Sequence, residues 1–125
     1  MTDDPREVVL GAFQALNDHD LERYAGLLAE DVEERHPYQL TGREAVTAGD
    51  RATLELIPDH WRKIDRLLVD GDNVAFWLRF GGTVAATGKS FEVEICGIVK
   101  VRDGKITTWD FYTARAPLAT AMESG

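Results

Sequence analysis

The sequence predicts a single α+β domain, with helices at the front of the chain covering one face of an antiparallel meander. Three observations predict it. Apolar residues recur at helical spacing up to Ile57, and beyond Pro58 the period changes from that of a helix to the alternation of a strand. Turn chemistry at Asp70-Gly71-Asp72-Asn73, near Gly88 and at Asp103-Gly104 cuts the second half into four segments, roughly 60–69, 74–84, 90–101 and 105–114. The 125 residues are 44% hydrophobic and 29% charged, with no linker, repeat or low-complexity stretch, so one domain spans 1–125.

Asp4-Pro5-Arg6-Glu7 reads as a helix start, Asp4 capping and Pro5 at the first helical position. Val8, Val9, Ala12, Phe13 and Leu16 then form one apolar face, and Asn17-Asp18-His19-Asp20 ends it. A second short helix carries Leu21, Tyr24, Ala25 and Leu28 on one side. Residues 32–36 are too few and too polar for a helix, and Pro37 biases His36 toward extended backbone, which predicts a short strand. Thr41-Gly42-Arg43-Glu44 has the form of a capping box and opens a third helix that Pro58 stops. In the meander, 91–101 alternates most cleanly, with Phe91, Val93, Ile95, Val99 and Val101 on one side and Glu92, Glu94, Cys96, Ile98 and Lys100 on the other.

Charge and composition exclude several classes of function. The net charge of −8 lies wholly in residues 1–65, and no basic stripe exists, so nucleic acid and anionic membrane surfaces are not expected partners. No run approaches the ~18 apolar residues of a membrane span. The acidic start, MTDDPREVV, lacks the pattern of a secretory signal, and a cytoplasmic chain is expected. One cysteine, Cys96, excludes an internal disulfide and any cysteine-built zinc site. His19, His36 and His60 have no metal-ligand spacing, and no glycine motif fits a dinucleotide, so neither metal nor cofactor is expected.

The order of elements and several local strings resemble the nuclear transport factor 2-like superfamily. Within it the chain is similar to the SnoaL-like proteins, relatives of polyketide cyclases, ketosteroid isomerases and limonene-epoxide hydrolases. The strings are Ala15-Leu16-Asn17 with His19-Asp20-Leu21, Leu27-Leu28-Ala29-Glu30-Asp31-Val32, Gly42-Arg43-Glu44-Ala45-Val46, and Val101-Arg102-Asp103-Gly104-Lys105-Ile106 with Trp109. The resemblance covers about residues 6–114. It implies a cone: a strongly bent antiparallel sheet closed by three N-terminal helices around a pocket, often paired with a second copy through the outer face of the sheet.

The resemblance also implies which residues to test. The isomerase base falls on His36, but the two oxyanion donors of that enzyme fall on Ala12 and Cys96. The arginine and two aspartates of the epoxide hydrolases fall on Leu78, Phe80 and Phe111. Neither mechanism transfers intact. By the same alignment Phe76, Leu78, Phe80, Ile98, Trp109 and Phe111 face inward with Thr113 near the mouth, while Trp77 and Asp110 face out. Polar candidates in the pocket are Glu34, His36, Glu94 and Cys96. Periodicity alone would instead bury the Val93–Ile95 side of 91–101. The alignment turns Val93, Ile95 and Val99 outward with Tyr112, against a second subunit.

Two functions fit. One is a cofactor-independent isomerase, cyclase or dehydratase acting on a small apolar carbonyl compound, with His36 as general base and Glu34 orienting it. The other is a noncatalytic dimeric module that binds a small hydrophobic molecule. Each candidate also has a structural reading. His36 can bond a backbone carbonyl or Glu34, Glu34 and Glu94 can lie at solvated positions, and Cys96 can be a small buried side chain. His19 is expected in solvent and His60 near the pocket mouth. Arg79 is expected to face outward, where Asp110 or Tyr112 is in reach.

Overall fold

The computed structural model describes residues 2–36 and 39–124, and the side chain of His36 lies outside that set. Helix α1 (Pro5–Asn17) starts as the sequence predicts, with the Asp4 carboxylate accepting the Arg6 amide at 3.1 Å. Its face of Val8, Val9, Ala12, Phe13 and Leu16 is buried. Helix α2 (Leu21–Gly26) is capped by Asp20, which accepts the Arg23 amide at 3.0 Å. The helix stops at Gly26, two residues short of the Leu28 that the apolar spacing includes. Leu28 instead begins strand β1 (Leu28–His36), where it pairs with Ile106 and is fully buried.

The two-residue strand β2 (Leu40–Thr41) follows, then helix α3 (Arg43–Leu56). The expected capping box does not form. Thr41 is held in β2 opposite Glu33, and Gly42 takes the cap position at φ +97°, a conformation suited to glycine, with its amide on the Val32 carbonyl at 2.7 Å. The meander is as read: β3 (Trp61–Asp70), β4 (Asn73–Thr83), β5 (Ser90–Arg102) and β6 (Lys105–Thr113). A last helix, α4 (Ala116–Met122), was not foreseen.

The six strands lie in the order β2-β1-β6-β5-β4-β3. All neighbours are antiparallel except β1 and β6, which run parallel, so the sheet is mixed rather than purely antiparallel. Helix α1 crosses its inner face. There Phe13 meets Phe76 and Trp109 edge to face, with ring centroids 5.2 and 5.6 Å apart.

The alternation of β5 settles the conflict between periodicity and alignment. Phe91, Val93, Val99 and Val101 are buried and Ile95 packs against the core, whereas Ile98 is 50% exposed. The apolar side is therefore the inner side, as periodicity alone requires. Gly97 lies where β5 and β6 approach most closely; a Cβ there would come within 2.1 Å of the Asp110 carbonyl oxygen.

Candidate active site

Three ionisable side chains that belong on solvent are instead turned into the core. Asp50 lies on the inner stripe of α3, three or four residues from Val46, Thr47 and Thr53. Arg62 lies two residues before Ile64 on the inward side of β3. Glu34 lies two residues after Val32 on β1, beside Trp109 of β6. Tyr24 of α2 joins them, fully buried, with its hydroxyl in a hydrogen-bonding interaction with Asp50.

Arg62 is held from three directions. Its backbone is clasped by Asn17, whose Oδ1 accepts the Arg62 amide at 2.7 Å and whose Nδ2 donates to the Arg62 carbonyl at 2.8 Å. Its Nη1 donates to His60 Nδ1 at 3.2 Å, and its guanidinium carbon sits 4.7 Å from the centre of the Phe80 ring. The bond to Arg62 makes His60 Nδ1 an acceptor, so the imidazole is neutral. Burial, then the Arg62 charge, push the His60 pKa down to about 4. His19, expected in solvent, donates from Nε2 to the His60 carbonyl at 3.0 Å, and the two rings lie 4.5 Å apart. The turn between α1 and α2 thus fixes the start of β3.

The carboxyl groups respond to burial. The Glu34 pKa is pushed up to about 7, first by burial and then by the charge of Asp50, with Arg62 opposing. Asp50 is pushed up to about 6 by burial, with Arg62 and the Tyr24 hydroxyl opposing. With both acids ionised the cluster would carry a net −1 in an apolar setting. Retaining one proton near neutral pH removes that excess. Among the described residues no carboxylate forms a direct ion pair with Arg62, so its donors are not saturated by the protein.

These groups border two adjoining spaces that share part of their lining, an outer one of about 220 Å³ and an inner one of about 60 Å³ walled otherwise by buried side chains. Together they fall near the lower end of the volume range usual for small-molecule sites. Phe76, Leu78 and Trp109 wall the inner part and Phe80 the outer, while Phe111 borders both. These five side chains border the cavity, and Thr113 lines the outer part near the mouth. α4 contributes Leu118 to the same mouth.

Three expectations are corrected by the parity of β5. Glu94 is exposed and pairs across strands with Arg79; Cys96 and Ile98 line a groove on the outer face, with Trp77 and Tyr112. The expected outward turn of Val93, Ile95 and Val99 fails for the same reason. Asp110 does face away from the cavity, but its partner is Arg35 (Nε to Oδ1, 3.0 Å), and Arg79 instead forms a two-pronged pair with Asp65 at 3.1 Å. His36 ends β1 opposite Asp110, and its side chain lies outside the described residues.

Asp50 and Arg62 were missed by the sequence reading, although a signal existed. Each is a charge on an otherwise apolar stripe, at helical spacing in α3 and at strand spacing in β3. The resemblance puts the epoxide hydrolase triad on the apolar Leu78, Phe80 and Phe111, yet an acid–arginine–acid set is assembled here from β1, β3 and α3.

A family model described as SnoaL-like domain matches residues 9–109. An NTF2-like protein from Burkholderia thailandensis E264 superposes with a TM-score of 0.85 at 27% identity, covering 98% of this chain and 99% of that one. IdmH from Streptomyces antibioticus, described as a candidate polyketide cyclase, gives 0.82 at 24% identity, with 95% and 98% covered. An LEH-like epoxide hydrolase from M. tuberculosis gives 0.79 at 20% identity, with 94% and 88% covered. The last two likenesses concern the fold alone. No curated protein matches the chain.

Proposed function

The chain belongs to the SnoaL-like domain family, and from that premise we propose that it moves a proton on a small, largely apolar carbonyl compound without a cofactor. The observation that carries this reading is Glu34, a half-buried carboxyl whose pKa is pushed up to about 7, bordering the cavity with Asp50 and Arg62. An acid or base works best when its pKa lies near the operating pH. In the proposed step ionised Glu34 takes a proton from the carbon beside the carbonyl. The bonding electrons pass to the carbonyl oxygen, and the enolate faces the Arg62 guanidinium. Glu34 then returns the proton to carbon, or the enolate carbon attacks an electrophile within the same substrate. Arg62 supplies the oxyanion partner that sequence reasoning could not find.

The reading is tested by deuterium incorporation. Acetophenone in D₂O with wild-type protein should exchange its methyl protons faster than in buffer, followed by NMR. Glu34→Gln should lose about 10²-fold or more of that enhancement, the usual worth of a positioned base. A His36→Gln variant, assayed beside it, decides whether the histidine two residues further along β1 shares the work.

A second reading is favoured by Leu78, Phe80 and Phe111, apolar where some relatives carry catalytic groups: a noncatalytic cavity that binds a small hydrophobic molecule. Binding of acetophenone with no exchange above buffer selects it. In either case we propose a homodimer, with a second copy covering the outer face. Trp77, Ile98 and Tyr112 stand there 44%, 50% and 56% exposed, an apolar cluster that favours being covered.

A further inference from the structure

The two parts of the cavity meet at the charged cluster. Glu34, Asp50 and Arg62 border both, together with the apolar Ile95 and Phe111, whereas Phe13, Leu16, Phe76 and Leu78 border only the inner part, and Val46, Leu56 and Leu118 only the outer. Groups that line both spaces must stand between them. The polar groups therefore form a waist, not the floor of the cavity.

The two sides of the waist differ in size and in give. The space beyond the waist is about 60 Å³, against about 220 Å³ on the mouth side. On the mouth side the lining reaches the exposed Ala114 and Arg115, so a longer group can project into solvent. The inner wall is stiff. Phe13, Phe76 and Trp109 lock one another edge to face, and all three are nearly inaccessible. Interiors packed in this way do not swell to admit extra carbons without displacing rings from their rotamers.

We propose that the protein selects ligands by a two-sided size rule: a polar group at the waist, a short alkyl substituent on the inner side, and the larger apolar body toward the mouth. The identity of the polar group as a carbonyl rests on the proposed proton transfer; the size rule rests on the shape of the cavity. Leu16 and Leu78 are the specificity-determining residues of the inner side. They are the aliphatic residues that border the inner part alone, and shortening them leaves the interlocked rings in place.

The rule is tested by binding, not turnover. Dissociation constants are measured by calorimetry for acetophenone, propiophenone, butyrophenone, valerophenone and hexanophenone, and for 4′-propylacetophenone, an isomer of valerophenone with its three extra carbons on the ring side. Wild type should bind the shorter members and lose about tenfold or more by valerophenone, while 4′-propylacetophenone binds at least as well as acetophenone. Leu16→Ala and Leu78→Ala, each first checked for cooperative thermal unfolding, should move the optimum one or more carbons longer. Leu118→Ala, on the mouth side, should leave the optimum in place. The isomer pair in wild type decides the question even where an inner-wall variant fails to fold. Equal affinities for the two isomers, a steady gain through hexanophenone, or no binding by any member would overturn the rule. Glu34→Gln should keep the same size order, so a failure of proton exchange and a failure of the size rule are separate results.

Discussion

Asn17 closes a two-bond ring on the backbone of Arg62, accepting its amide at 2.7 Å and donating to its carbonyl at 2.8 Å. The side chain that ends α1 thereby sets the start of β3, and with it the place of the charged residue at the waist of the cavity. Replacing Asn17 by Leu leaves a part-buried donor and acceptor without partners. The expected cost is about 1–3 kcal/mol, read as a lower urea midpoint with an unchanged slope. Loss of acetophenone affinity beyond that of a remote variant of equal stability would show that the clasp positions Arg62 as well as stabilising the fold.

Stability should depend on pH through Glu34. Its pKa rises from 4.5 unfolded to about 7 folded, so between those values the folded state holds a proton that the unfolded state has released. Stability is thus greatest below about pH 4.5 for this group, falls as pH rises, and levels off above about 7. Glu34→Gln removes the dependence. The variant should be more stable than wild type at pH 8 by about 1–2 kcal/mol, since each pH unit of separation is worth ~1.4 kcal/mol before solvent screening is discounted. At pH 4.5 the two should converge. Thermal melts at both pH values check this.

Arg62 is the only cation bordering both parts of the cavity among the described residues. Arg62→Met should cost about 3 kcal/mol at pH 8, near the low end for breaking a buried charge arrangement. Adding Asp50→Asn should recover much of the loss, because it removes one of the two carboxylates left facing each other. A double variant no more stable than Arg62→Met would show that the two side chains do not share a field.

Much of this architecture was legible because its elements are locally consistent. The α1 face, the three meander turns and the alternation of β5 each follow from spacing that nothing in the tertiary structure overrides. The errors have specific causes. Leu28 fits the spacing of α2, but Gly26 ends that helix, and pairing with Ile106 draws the leucine into β1. The side of β5 was misjudged where likeness to relatives was allowed to overrule the strand's own pattern. At the site, Glu34 is legible in the sequence, whereas Asp50 and Arg62 are not. Their burial depends on one another, with an arginine and two acids from distant elements offsetting each other, and no local window contains that information.

Assembly tests the corrected outer face. Sedimentation at tens of micromolar should give a dimer, and Ile98→Arg should shift it toward monomer while leaving the cavity intact. Val93 and Ile95 face the core, so arginine at either should unfold the chain rather than dissociate it. A monomeric wild type would remove the dimer from the account.

The most direct measurement is a pH titration of the Glu34 and Asp50 carboxyl carbons by ¹³C NMR, with Glu34→Gln and Asp50→Asn giving the assignments. The account predicts midpoints near 7 for Glu34 and near 6 for Asp50, with the Glu34 midpoint falling in Asp50→Asn as the repulsion is removed. Both carboxyls titrating below pH 5 in the wild type would contradict it, because the cavity would then hold two full negative charges at neutral pH and Glu34 would be too weak a base for the proposed transfer.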